Sequence, residues 1–146
     1  MADKVVSVER VINASPKAIF DLLADPDMHP LLDGSGTVKK SASNNPERLS
    51  LGAKFGMSMQ MGAPYRIRNK VVEFEEGKRI AWCHLARNIW RYELEPVDGG
   101  TKVRESFDYS RGRAPSIFLR GSGFLKRNRE GMEKTLENIE RHFASK

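Results

Sequence analysis

The chain has 146 residues, 39% of them hydrophobic and 30% charged, with a formal net charge of +6 and one cysteine. That length suits a single domain over residues 1–146, and no apolar run approaches the roughly 20 residues of a membrane span. Cys83 alone allows no internal disulfide, and "MADKVVSVER" offers no apolar leader, so a reducing, cytoplasmic setting is expected.

The first predicted element is a strand. "VVSVERVIN" alternates and is β-branched, which places it from Lys4 to Asn13. Ser15 then stands as N-cap with Pro16 at the first helical position, and Ile19, Phe20, Leu22 and Leu23 form a buried stripe that ends at Asp25 and Pro26. "DPDMHPLLDGSG" reads as a short helix or turn, "TVKKSAS" as a second strand and "NNPERLS" as a loop.

A strand rich in methionine follows. "KFGMSMQMG" sets Phe55, Met57, Met59 and Met61 at two-residue spacing, the alternation of a strand with one buried face. Methionine is flexible and polarizable, so this face is either ordinary core or the wall of an adaptable apolar cavity. After the turn "GAP" come four further strands, "YRIRNKVVEFEE", "RIAWCHLA", "NIWRYELEPV" and "TKVRESFDYS", separated by Glu-Gly, Arg-Asn and "DGG" turn signals. The C-terminal segment from Ala114 is helical, with Leu125, Met132, Leu136, Ile139 and Phe143 on one face and Pro115 in its first turn. Gly112, Gly121 and Gly123 weaken its start, leaving Ile117, Phe118, Leu119, Phe124 and Leu125 as either a mobile apolar lip or a tight cap.

This order, one strand, two short helices, six strands and a long helix, predicts an α+β fold: a curved antiparallel sheet of about seven strands around the C-terminal helix. "VERVINASPKAIFDLLADPDMHP", the Trp of "RIAWCH", the "DGGTKVRESFDY" strand and the terminal helix together resemble the helix-grip superfamily of START lipid-transfer and pollen-allergen-like domains. Within it the chain is most similar to the bacterial polyketide cyclase/dehydrase and lipid-transport branch. The glycine-rich loop of plant members is missing, "SASNNPERLSLG" standing in its place.

The resemblance implies a cavity between sheet and last helix, holding a hydrophobic small molecule such as a lipid, fatty acyl chain or polyketide. Expected ligand-binding residues are Met57, Met59, Met61, Trp82, His84, Trp90, Tyr92, Glu105, Phe107, Tyr109, Phe118, Phe124 and Leu125. Alternation puts Trp90, Tyr92 and Leu94 on one face, as it does Trp82 and His84, and Val103, Glu105, Phe107 and Tyr109. If Glu105 points inward it needs a raised pKa or a partner, with His84, Tyr92 or an arginine as candidates; one register slip would leave it in solvent against Arg91 or Lys102.

Catalysis is a first alternative, with Glu105, His84 and Tyr109 as candidates for the proton transfers of a cyclase or dehydratase. A second is an interaction module built on the C-terminal segment, where residues 111–146 hold nine Lys/Arg against four Asp/Glu. Arg111, Arg113, Arg120, Lys126, Arg127 and Arg129 there could meet an anionic membrane transiently; nucleic acid is not expected. His29, His84 and His142 lack metal-ligand spacing, and no phosphate loop or nucleophile elbow occurs, so no metal or cofactor is expected. No residue argues for a particular oligomeric state.

Overall fold

A computed structural model describes residues 4–34, 36, 38–42, 44–83, 88–110 and 123–144, without the side chain of Met61. Strand β1 (Val5–Ile12) leads into α1 (Pro16–Leu23), whose entry is fixed locally: Ser15 Oγ accepts from Ala18 N at 3.1 Å and Pro16 opens the helix. A 3₁₀ turn (Pro26–Met28) and a four-residue helix α2 (His29–Leu32) follow, the turn capped by Asp25, which accepts from Asp27 N.

Six strands then run β2 (Val38–Ser41), β3 (Lys54–Met61), β4 (Ala63–Glu75), β5 (Arg79–Cys83), β6 (Ile89–Val97) and β7 (Gly100–Asp108). Helix α3 (Phe124–Ala144) closes the order. The seven strands make one antiparallel sheet, β1-β7-β6-β5-β4-β3-β2, in which the first strand returns to pair with the last. This is the expected α+β helix-grip architecture.

The junction of β3 and β4 differs from the sequence expectation. The turn after β3 is tighter than "GAP": Gly62, at φ 75°, carries it alone, and Met61 pairs directly with Ala63. Strand β4 therefore starts two residues earlier than predicted, and a register shift between Val71 and Glu73 interrupts its pairing with β5. The described part of strand β5 ends at Cys83, and the remainder of the predicted "RIAWCHLA" strand lies outside the described residues, as does the start of the long helix from Ala114, with Pro115, Gly112 and Gly121.

The concave face of the sheet holds the core. Helix α1 buries Ile19, Phe20, Leu22 and Leu23, and Phe20 meets Phe74 edge-on at 5.3 Å. Helix α3 lies along β1 and β7 and buries Gly131, Met132, Thr135, Leu136 and Ile139. The opposite face is charged, with Arg91 bridging Glu73 and Asp108, and Arg104 bonded to Glu9. None of the described helices is long and apolar enough to cross a membrane.

Candidate functional site

Strands β3 to β7 curve under α3 while the short α2 covers little length, and a cavity of about 270 Å³ remains between them. The sheet contributes Met57 and Met59 from β3, Tyr65, Ile67 and Asn69 from β4, Trp82 from β5, Trp90 and Tyr92 from β6, and Glu105 from β7. Phe124, Asn128, Gly131, Met132 and Thr135 form the helix wall. Their spacing of four, three, one and three keeps them on one face of α3. Leu23, His29, Leu32, Asp33 and Val38 close the remaining side.

An aromatic cluster stiffens the sheet wall. Trp82 stacks on His29 at 4.7 Å with an interplanar angle of 24°, meets Phe55 edge-on at 5.5 Å and leans on Tyr92 at 5.6 Å. His29 Nε2 lies 2.8 Å from the Leu23 carbonyl, which can only accept, so the proton sits on Nε2. Burial holds the His29 pKa below its ordinary value, outweighing that hydrogen bond, and keeps the ring neutral.

Glu105 is the cavity's buried carboxyl. It stands opposite Tyr92 on β6 and Val8 on β1, and is 3% exposed. Burial pushes its pKa well above the ordinary carboxylate range, and the Tyr92 hydroxyl opposes that shift only in part. Tyr92 is itself raised, first by burial and then by the Glu105 charge. Glu105 Oε1 and Asn128 Nδ2 are buried with no hydrogen-bond partner among the described residues, an arrangement that costs free energy unless something supplies the missing bond.

The expected site residues divide into three sets. Met57, Met59, Trp82, Trp90, Tyr92, Glu105 and Phe124 come together on the cavity wall. Phe107, Tyr109 and Leu125 do not: Phe107 and Tyr109 are buried core, and Leu125 packs half-buried against that core. Phe107 is covered by Trp90 at 4.6 Å and Phe124 at 5.9 Å, with Tyr109 stacked beside it at 6.0 Å. Leu125 turns about 100° around the helix from Phe124 and leaves the cavity face. His84, Phe118 and the Met61 side chain lie outside the described residues, as do Arg111, Arg113, Ile117, Leu119 and Arg120.

Sequence reasoning missed His29, Asn69, Asn128 and Thr135. For Asn128 and Thr135 a signal existed, since both share the helical stripe of Phe124 and Met132. His29 sits in an irregular segment with no periodicity to place it. Among the described residues no cluster of three or more His, Cys, Asp or Glu could hold a metal ion. A groove of about 400 Å³ runs outside, between β1 and α3, but most of its lining residues are charged and already paired, among them Arg10 with Glu140 and Arg104 with Glu9.

The chain can now be set beside known proteins. A family profile described as polyketide cyclase / dehydrase and lipid transport matches residues 4–144. The uncharacterized protein Rv0088 of Mycobacterium tuberculosis is 36% identical over 137 residues, a match covering 90% of this chain and 61% of that protein. The chain thus spans less than two thirds of the curated relative's length. A crystal structure of a Rhodobacter sphaeroides protein superposes with a TM-score of 0.72 at 18% identity, covering 99% of this chain and 94% of the other. The Mycobacterium smegmatis protein Ms6760 does so at 0.75 and 14% identity, covering 97% and 92%. At such identities the two structures establish the shared fold alone.

Proposed function

This chain belongs to the polyketide cyclase/dehydrase and lipid-transport family, and from that premise we propose that it binds, and carries within the cytoplasm, a hydrophobic small molecule of the lipid, fatty acyl or polyketide class. The observation that supports this reading is the cavity between sheet and α3, whose walls are aliphatic, thioether and aromatic apart from a few polar groups. Affinity comes from apolar ligand surface leaving water, at ~25 cal/mol per Å², offset by the cost of ordering. Met57 and Met59 suit a wall that reshapes around its occupant.

Native mass spectrometry of the protein purified from its own host, followed by organic extraction, tests the reading. A retained apolar compound in one-to-one ratio supports it. An empty protein that also ignores a panel of fatty acyl and polyketide compounds contradicts it.

Glu105 favours a second reading. A protonated carboxyl beside Tyr92 can hold or deliver a proton at a ligand oxygen, which is what a cyclase or dehydratase requires. Glu105→Gln separates the two: it abolishes turnover by an enzyme and leaves a carrier's affinity within about threefold. Lys126 and Arg127, exposed on the first turn of α3 beside Phe124, suit brief contact with anionic headgroups during loading. That contact weakens with salt, whereas apolar binding does not.

A further inference from the structure

We propose that the cavity admits uncharged apolar molecules bearing an oxygen acceptor, such as a ketone or ester, and rejects free carboxylates of the same shape. Glu105 and Asn128 both line the cavity, Glu105 Oε1 and Asn128 Nδ2 are buried without partners, and no described lining residue is a lysine or arginine. The inference rests on the cavity's being a ligand site and narrows what that ligand is.

The two unpartnered atoms belong to opposite walls, Glu105 to the sheet and Asn128 to α3. An amide nitrogen only donates. Burial favours the protonated form of Glu105, so this carboxyl also has a hydrogen to give. A carbonyl oxygen between the walls has two lone pairs and satisfies donors that are otherwise buried and idle. An alkyl group of the same size would leave both unmade.

A carboxylate meets a different balance. Its charge would enter a space that already holds the carboxyl groups of Glu105 and Asp33, the latter accepting from Val38 N at 3.2 Å. His29 is the one described lining side chain that can become a cation, and burial keeps it neutral while its Nε2–H is engaged by the Leu23 carbonyl. An anion there loses its water and gains no counter-charge.

Three naphthalenes of matched size test the selection by tryptophan fluorescence titration at pH 7: 2-acetylnaphthalene, 2-isopropylnaphthalene and 2-naphthoate. The expected order is the ketone about tenfold tighter than the alkyl compound, with the carboxylate weaker than both. Asn128→Leu should cost the ketone about tenfold and leave the alkyl compound within about threefold. Glu105→Leu should act likewise, and Glu105→Gln, which keeps a donor, should not. A carboxylate that binds as tightly as the ketone, or a ketone no better than the alkyl compound, overturns the selection and leaves the cavity reading intact. Failure of all three to bind overturns the cavity reading itself, and the selection with it.

Discussion

The two ends of the space under α3 are built from the same strands and the same helix, yet one is sealed and the other hollow. At the sealed end α1 buries Ile19 and Phe20, Phe20 meets Phe74 edge-on, and Ile80, Leu94, Val103, Leu136 and Ile139 belong to the same buried core. At the hollow end, among the described residues, the four-residue α2 and its turn cover the sheet, and Trp82, Tyr92 and Glu105 stand across a gap from Asn128 and Thr135. What differs among the described residues is the length of helix laid over the strands, eight residues in α1 against four in α2.

The largest expected effect comes from breaking the sealed end. Phe20→Ala removes a fully buried ring and should cost about 3–5 kcal/mol, read as a lower urea midpoint with an unchanged slope. A comparable truncation at the hollow end, Met59→Ala, should cost much less, because its half-buried side chain already borders empty space.

Gly34 tests the seam between the two ends. Its N–H donates to Thr135 Oγ1 at 2.8 Å, and a Cβ there would come within 2.5 Å of the Gly131 carbonyl oxygen. Backbone cannot yield as a side-chain tip can, so Gly34→Ala should lift the segment after α2 from α3 and cost about 1–3 kcal/mol. Amide hydrogen exchange should show the loss of protection around Gly131 and Thr135 before the sealed end responds.

Titration sharpens the same contrast, because Glu105, Tyr92 and His29, whose pKa values desolvation shifts, all line the hollow end. The folded pKa of Glu105 is raised, so the protonated native state is fully favourable below the ordinary value of 4.5, and that contribution is lost as pH rises through the folded value. Glu105→Gln should therefore change stability little at pH 4 and raise it by about 1 kcal/mol or more at pH 8. His29 has the opposite sign. Its folded pKa is depressed, so its contribution is present above the ordinary 6.5 and is lost as pH falls from there through the folded value. His29→Phe should keep the ring stack on Trp82 and flatten the acid limb of the stability profile, a smaller effect of at most ~1.4 kcal/mol per pH unit. Thermal melts across pH 4 to 8 read both.

The contrast also explains what the sequence made legible. Alternation and β-branched runs identified all seven strands, and Ser15 with Pro16 marked the start of α1 to the residue. These signals are local. Whether a buried side chain lines a cavity or fills a core depends on what lies opposite it, which no spacing records. Glu105 and Phe107 share one face of β7 two residues apart; the first borders the cavity and the second disappears under Trp90 and Phe124. His29 reaches Trp82 only because the chain turns at Asp25 and Pro26, a tertiary placement with no sequence period behind it.

The central claim, that the hollow end is a ligand site, is tested most directly by titrating the neutral probe N-phenyl-1-naphthylamine into the protein and into Met59→Trp, which fills the cavity from a half-buried position. The account predicts one-to-one binding with tryptophan quenching, weakened about tenfold or more in the variant at unchanged fold. Absence of binding, or binding that ignores the added indole, would contradict it.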